Sequence, residues 1–151
     1  MSVPICRTAL GSALLWVALL PTVQSAGLAC PEAPEIETHM LMGTWSVQTW
    51  PAQSAAAQSG DAPWTLVLGP HPEYAGTLKG LLRRNAARHL VVADWDDQAL
   101  TMEESEDGRR IAATWVMQAV PGQCGRTLEG VRFTGPEPDE RATRTRWTRL
   151  R

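Results

Sequence analysis

The sequence is poor in several residue types that catalysis, metal binding and nucleic-acid binding require. It has three cysteines and three histidines, and Lys79 is its single lysine. The histidines occur at positions 39, 71 and 89, with no HExxH-like pair or cysteine partner. Negative charges slightly exceed positive ones, giving a net charge of −2, whereas a general nucleic-acid binder carries a clear basic excess. We therefore predict no catalytic set, metal site, cofactor or nucleic-acid partner.

No long apolar run is present either, but the first residues have the pattern of a secretory signal peptide. A short segment ending at Arg7 precedes an apolar run from Ala9 to Leu20, and small residues follow. This run is shorter than the about 20 residues that a membrane-spanning helix needs, so we expect no transmembrane segment in the mature chain. Cleavage is expected after Ser25 or after Ala29. The pattern predicts a signal peptide over residues 1–29 and an exported, periplasmic or secreted protein of bacterial type.

Removal of the leader also removes Cys6 and leaves two cysteines, Cys30 and Cys124. An even count in an oxidising compartment favours a disulfide, which would stabilise a domain of this size by about 4 kcal/mol. Cleavage after Ala29 would place Cys30 at the new terminus, where a lipoprotein also carries its cysteine. A lipid anchor at Cys30 is therefore the alternative to the disulfide, and the two exclude each other.

From residue 41 onward the apolar residues recur with a period of two, which is typical of β-strands. Turn residues such as Asp107-Gly108 and Pro121-Gly122 separate the segments. We predict eight strands, at 41–48, 64–68, 76–83, 89–95, 100–104, 111–117, 126–133 and 142–150. The Ala/Ser/Gln-rich range 51–63 is predicted to be a flexible loop. No segment offers a crossover helix, so the fold class predicted for residues 30–151 is all-β, a single eight-stranded antiparallel up-and-down meander barrel.

The first predicted strand contains Gly43-Thr44-Trp45. A Gly-x-Trp on the first strand of an exported eight-stranded meander resembles the calycin barrels, which include the lipocalins and the avidins. The resemblance implies that Gly43 and Trp45 close one end of the barrel and that Trp45 packs against an arginine of the last strand. Arg144 and Arg146 are the candidates for that arginine, because a guanidinium stacks well on an indole face.

Six tryptophans follow the leader, and four of them share the apolar phase of their strands: Trp45, Trp64, Trp95 and Trp115. These four are predicted to converge inside the barrel. They could line a pocket for a small apolar ligand, or they could fill a closed core. Glu104 also lies in the inward phase, where it would act as a buried acid or pair with an arginine at one end of the barrel.

These features predict an exported, non-enzymatic binding protein for a small apolar ligand or a protein partner. The alternative is a proteinase inhibitor similar to the small periplasmic barrels that protect bacteria from their own metalloproteases. In those inhibitors an N-terminal extension enters the protease cleft, and residues Pro31 to Thr38 would be that extension here. An enzyme that uses Glu104 is the third hypothesis.

The mass of the mature protein distinguishes the disulfide from the lipid anchor. We expect intact-mass spectrometry of the exported protein to show a chain that lacks two hydrogens relative to its reduced form. Reduction with dithiothreitol provides the control, because it should restore those two hydrogens. A mass increased by an acyl-glyceryl group on Cys30 would contradict the disulfide prediction.

Overall fold

The computed structural model describes residues 30, 33–54, 62–134 and 142–151. The predicted signal peptide over residues 1–29 lies outside them, and so do residues 55–61 of the predicted loop. The described chain forms eight strands: β1 Gly43–Pro51, β2 Trp64–Pro70, β3 Thr77–Arg84, β4 Ala87–Asp96, β5 Ala99–Ser105, β6 Ala113–Ala119, β7 Thr127–Thr134 and β8 Thr143–Arg149.

The eight strands form a closed barrel in which each strand pairs with the next along the chain. All the pairs are antiparallel, and β8 returns to pair with β1, where Val47 lies opposite Trp147. The prediction of an all-β, eight-stranded up-and-down barrel is therefore confirmed. Closure matters because an open meander would leave the backbone groups of its first and last strands unpaired.

The connection between β5 and β6 is longer than the tight hairpin that Asp107-Gly108 suggests. The Asp107 carboxylate accepts hydrogen bonds from the backbone N–H groups of Arg109, at 2.8 Å, and Arg110, at 2.9 Å. These bonds, that from Arg110 foremost, lower the pKa of Asp107. Because the pKa is lowered in the folded state, the ionised Asp107 carboxylate stabilises this loop at pH values above its ordinary titration range. This contribution to stability is lost as the pH falls through the lowered pKa.

Tryptophan rings occupy the barrel interior along its length. The ring centroids of Trp45 and Trp147 are 6.4 Å apart, those of Trp147 and Trp115 are 5.7 Å apart, and those of Trp115 and Trp64 are 6.2 Å apart. Trp45, Trp115 and Trp147 are fully buried. We call these four residues the indole column. Aliphatic and methionine side chains from β2, β3, β4, β5 and β7 pack around it, among them Leu66, Leu82, Val91, Met102 and Leu128.

The disulfide predicted between Cys30 and Cys124 is present, with its Cα atoms 4.4 Å apart. A lipid thioether would need the sulfur of Cys30 that forms this bridge. Two 3-10 turns, Ala33–Glu35 and Thr38–Leu41, follow Cys30, and they deliver the buried side chains of Ile36 and Leu41 to the core. The disulfide and these turns cover the end of the barrel where β1 begins and β8 ends, which we call the disulfide end.

The opposite end, where β5 approaches Ser105 and β7 approaches Thr134, is called the Glu104 end. Its inward-facing residues are mostly polar, in contrast to the apolar residues at the centre of the barrel. The barrel therefore presents one end sealed by the N-terminal segment and one end lined by charged side chains.

Gly130 on β7 allows the chain to cross close to β6. A Cβ atom at this position would lie 1.9 Å from the carbonyl oxygen of Val116 and 2.9 Å from the Cα atom of Met117. Backbone atoms cannot move away as a flexible side-chain end can. Glycine is thus required where the barrel bends between β6 and β7.

We expect Gly130→Ala to lower the free energy of unfolding by about 1–3 kcal/mol, since the added methyl group overpacks a backbone contact. Gly69→Ala on β2 is the matched control, because a Cβ atom there meets nothing within 4 Å. The control should stay within about 0.5 kcal/mol of the original protein. Urea denaturation monitored by tryptophan fluorescence measures both, and equal effects would contradict the proposed crowding at Gly130.

Candidate functional site

At the disulfide end, the Gly-x-Trp residues of β1 contact an arginine from the end of β8. The Arg149 guanidinium lies 5.7 Å from the centroid of the Trp45 ring and donates hydrogen bonds to the carbonyl oxygens of Met40 and Met42. The Trp45 indole donates to the carbonyl oxygen of Leu41 over 3.0 Å. These bonds fix the last 3-10 turn on the end of the barrel. The disulfide end is therefore closed by polar contacts as well as by apolar packing.

Gly43 is needed in this arrangement for two reasons. Its φ angle is +131°, a conformation that side chains disfavour, and a Cβ atom would lie 3.1 Å from the Arg149 Nη2 atom. A larger residue would therefore strain the backbone and press on the guanidinium that stacks on Trp45.

The arginines predicted for this contact lie elsewhere. Arg144 and Arg146 are exposed, Arg144 opposite Trp50 and Arg146 opposite Gln48, and Arg149 makes the contact with Trp45 in their place. The physical reason is the alternation of β8. Trp147 points inward, so Arg149 shares its side of the sheet, whereas the even-numbered arginines face outward. The inward phase of Trp147 was the sequence signal that could have identified Arg149.

At the Glu104 end, the Glu104 carboxylate is fully buried and binds several donors. Arg132 donates from Nε to Oε2 over 3.0 Å and from Nη2 to Oε1 over 3.1 Å, which makes a two-pronged ion pair. The Trp115 indole donates to Oε2 over 2.9 Å. The side chains of Glu104 and Arg132 are 0% and 16% exposed. The arginine pairing predicted as one alternative for Glu104 is thus present.

His89 on β4 completes the surroundings of the carboxylate. Its Nδ1 atom lies 2.8 Å from Oε1 of Glu104, but no acceptor is aligned with Nδ1 for a hydrogen bond. The His89 ring also contacts the Trp64 ring, with centroids 5.9 Å apart. The Trp64 indole thus holds the His89 imidazole beside the Glu104 carboxylate.

Two guanidinium groups stack on the last indole of the column. Arg132 lies 5.6 Å from the Trp64 centroid and 5.2 Å from the Trp115 centroid, and Arg84 lies 5.4 Å from Trp64. Such contacts contribute about 0.5–2 kcal/mol each, depending on how well water is excluded. Each end of the barrel therefore finishes in an arginine packed against the indole column.

This arrangement gives a substrate little access to the Glu104 carboxylate. Both oxygens already accept hydrogen bonds from the protein, and the side chain has no exposed surface. Among the described residues, no group of three or more His, Cys, Asp or Glu side chains is placed to hold a metal ion. The geometry at this end favours a structural role for Glu104.

The four predicted pocket tryptophans occupy different places. Trp45 and Trp115 are fully buried in the core, while Trp64 is partly buried at the Glu104 end. Trp95, opposite the buried Leu100, is partly buried and packs against the core cluster. Trp147, which was not among the candidates, joins Trp45 to Trp115. Trp45, Trp64 and Trp115 therefore fill the interior together with Trp147, and Trp95 packs against the same core cluster.

The chain matches no protein-family model, and no curated protein is significantly similar to it. In the ranges that the structure describes, no helix is long and apolar enough to cross a bilayer. The function is therefore inferred from the geometry of the barrel.

We expect Glu104→Gln to lower the free energy of unfolding by about 3 kcal/mol or more, because Arg132 would then be buried without its counter-charge. Glu129→Gln is the matched control. Glu129 pairs with Arg146 on the surface, with side chains 43% and 52% exposed, so its loss should cost at most about 1 kcal/mol. Guanidinium denaturation monitored by circular dichroism compares the two variants.

The double variant Glu104→Gln/Arg132→Met extends this test, since it removes the unpaired charge together with its partner. It should recover part of the lost stability, as replacement of a buried ion pair by apolar residues often does. Equal losses in the two glutamine variants, or no recovery in the double variant, would mean that the buried pair is not a stabilising unit.

Proposed function

We propose that this protein is an exported, non-enzymatic binding protein that recognises another protein through its outer surface. The observation that carries the proposal is the indole column. Its consecutive ring contacts of 5.7 to 6.4 Å place side chains where an internal ligand would otherwise lie. An eight-stranded barrel has an interior just wide enough to be filled by side chains or to hold one small ligand. The filled interior supports surface recognition over ligand carriage.

The two closed ends support the same proposal. A ligand entering from the disulfide end would have to displace Arg149 and the 3-10 turn that it binds. From the Glu104 end it would have to separate Arg132 from a fully buried carboxylate. Breaking a buried pair costs about 3–5 kcal/mol, which a small apolar ligand would have to recover from its own contacts.

The outer surface carries exposed hydrophobic side chains that could contact another protein. Six large hydrophobic side chains are exposed on the described residues: Val67, Tyr74, Leu90, Ile111, Val116 and Leu150. The barrel and its disulfide hold these side chains on a rigid frame. A surface that is ordered before binding loses less entropy on association than a mobile one.

The proteinase-inhibitor hypothesis needs an N-terminal extension that is free to enter a protease cleft. Part of the predicted extension is instead packed on the barrel. Ile36 is buried and Leu41 is fully buried, and the Cys30–Cys124 disulfide ties this segment to the connection between β6 and β7. Of the predicted extension, residues 31 and 32 lie outside the described residues. The geometry favours contacts made by the barrel surface over insertion of this segment.

A thermal-shift experiment with small apolar molecules tests whether the interior is filled. We expect neither benzene nor N-phenyl-1-naphthylamine to raise the Tm of the protein, because the indole column and the side chains packed around it occupy the interior. Leu128→Ala is the positive control. It removes a fully buried side chain, should cost about 2–5 kcal/mol of stability, and should create a cavity that benzene fills. A saturable rise in the Tm of the original protein would contradict the proposed function.

A further inference from the structure

Two arginines face each other on the outside of the barrel without a partner. Arg83 on β3 lies directly opposite Arg88 on β4, and both are exposed. Within the described part of the chain, neither side chain makes an ion pair or hydrogen bond. Like charges directly opposite each other on antiparallel strands are destabilising. A carboxylate placed over this pair would remove the repulsion.

An exposed apolar row lies next to the arginine pair. Val67, Leu81 and Leu90 pair across β2, β3 and β4, so they form one line on the outer side of the sheet. Val67 and Leu90 are 44% and 47% exposed. Leu90 also lines a surface groove of about 250 Å³ together with Ile111, which is 46% exposed. Half of the exposed large hydrophobic side chains therefore lie in this one region.

Positive charge borders the apolar row on its other side as well. Lys79, the residue two positions before Leu81, is exposed and lies opposite Val92, and it lines the same groove as Leu90. Arg109 and Arg110 also line the groove, and Arg110 pairs with Asp107. Glu103 is the acidic member of the lining and lies opposite Val92, in line with Lys79. This concentration of positive charge occurs on a chain whose net charge is −2. The charge of the region is thus opposite to that of the protein as a whole.

We define the β2–β4 face by its apolar row and its bordering cations: Val67, Leu81, Leu90, Lys79, Arg83 and Arg88. Neighbouring strands lie about 4.8 Å apart, so the row from β2 to β4 is about 10 Å long, and the groove beside Ile111 extends it. An extended peptide rises about 3.3 Å per residue. A segment of about five or six residues would cover the row and reach the groove.

We propose that the β2–β4 face docks an extended acidic segment of another protein that carries both apolar side chains and Asp or Glu. The apolar side chains lie on the row, and the carboxylates bind Arg83, Arg88 and Lys79. This inference rests on the proposed function, because it specifies which surface recognises the partner and by what chemistry. Arginine is among the residue types enriched at the positions that contribute most to such binding.

Titration followed by NMR provides the test, with the peptide acetyl-Leu-Glu-Leu-Glu-Leu-Glu-amide as the probe. We expect saturable shifts of the backbone amide signals of Val67, Leu81, Leu90 and Ile111, and weaker binding as salt is raised. The peptide acetyl-Leu-Lys-Leu-Lys-Leu-Lys-amide is the charge control and should leave these signals in place. Equal shifts with both peptides, or none with the acidic peptide, would overturn the proposal.

Surface variants identify the residues that bind. The pair Arg83→Glu and Arg88→Glu should weaken binding of the acidic peptide at least tenfold, and Leu90→Ser should weaken it severalfold. The matched controls are Arg144→Glu on β8 and Val116→Ser on β6, which alter exposed residues outside the face and should leave binding unchanged. Equal losses in the controls would overturn the assignment to this face.

Analytical ultracentrifugation tests whether a second copy of this chain binds the β2–β4 face. We expect the protein to stay monomeric, and self-association abolished by the Arg83→Glu/Arg88→Glu variant would overturn the proposal of a separate partner. Failure of the peptide experiment differs from failure of the proposed function. Failure of the peptide to bind would reject only the assignment of the β2–β4 face. A rise in Tm with benzene would reject the proposed function itself.

Discussion

The barrel depends on the packing of four indoles along its axis. Trp45, Trp147, Trp115 and Trp64 come from β1, β8, β6 and β2, so their ring contacts join strands that are not all neighbours in the sheet. Aromatic pairs in tilted or edge-to-face geometry contribute about 0.5–1.5 kcal/mol beyond the apolar area that they bury. The column therefore fills the interior and connects strands across the barrel.

The contacts at the two ends of the column depend on the N–H groups of its indoles. At one end the Trp45 N–H group donates to a turn, and at the other the Trp115 N–H group donates to Glu104. The Trp147 N–H group between them is buried without a partner among the described residues. A buried N–H group without an acceptor costs about 1–3 kcal/mol, so the acceptors at the two ends stabilise the column. A carboxylate used as that acceptor requires a cation in turn, and Arg132 supplies it. The charged cluster at the Glu104 end is thus a consequence of ending an indole column inside a barrel.

Much of the fold is predictable from the sequence, because β-strands with one buried side alternate with a strict period of two. That alternation identified all eight strands, and the pairing of Cys30 with Cys124 followed from the predicted removal of Cys6. The inward position of Glu104 was predictable for the same reason. The antiparallel order followed from the short connections.

The parts that escaped prediction depend on contacts between distant strands. The arginine on Trp45 was assigned to the outward-facing side of β8, although Trp147 marks the inward side. The contact of His89 with Glu104 depends on the register between β4 and β5, which the local sequence pattern does not determine. The need for glycine at position 130 arises from the approach of β6, which only the closed barrel creates.

The disulfide has a further consequence for how the barrel closes. Strands β1 and β8 are the first and last along the chain, so their pairing is the most distant contact in the fold and the slowest to form by chance. The bridge from Cys30 to Cys124 connects the residues before β1 to the connection before β7. The covalent path from β1 to β8 through the bridge is far shorter than the path along the polypeptide. Formation of this disulfide before the barrel closes would therefore bring the two closing strands together and speed the final step of folding.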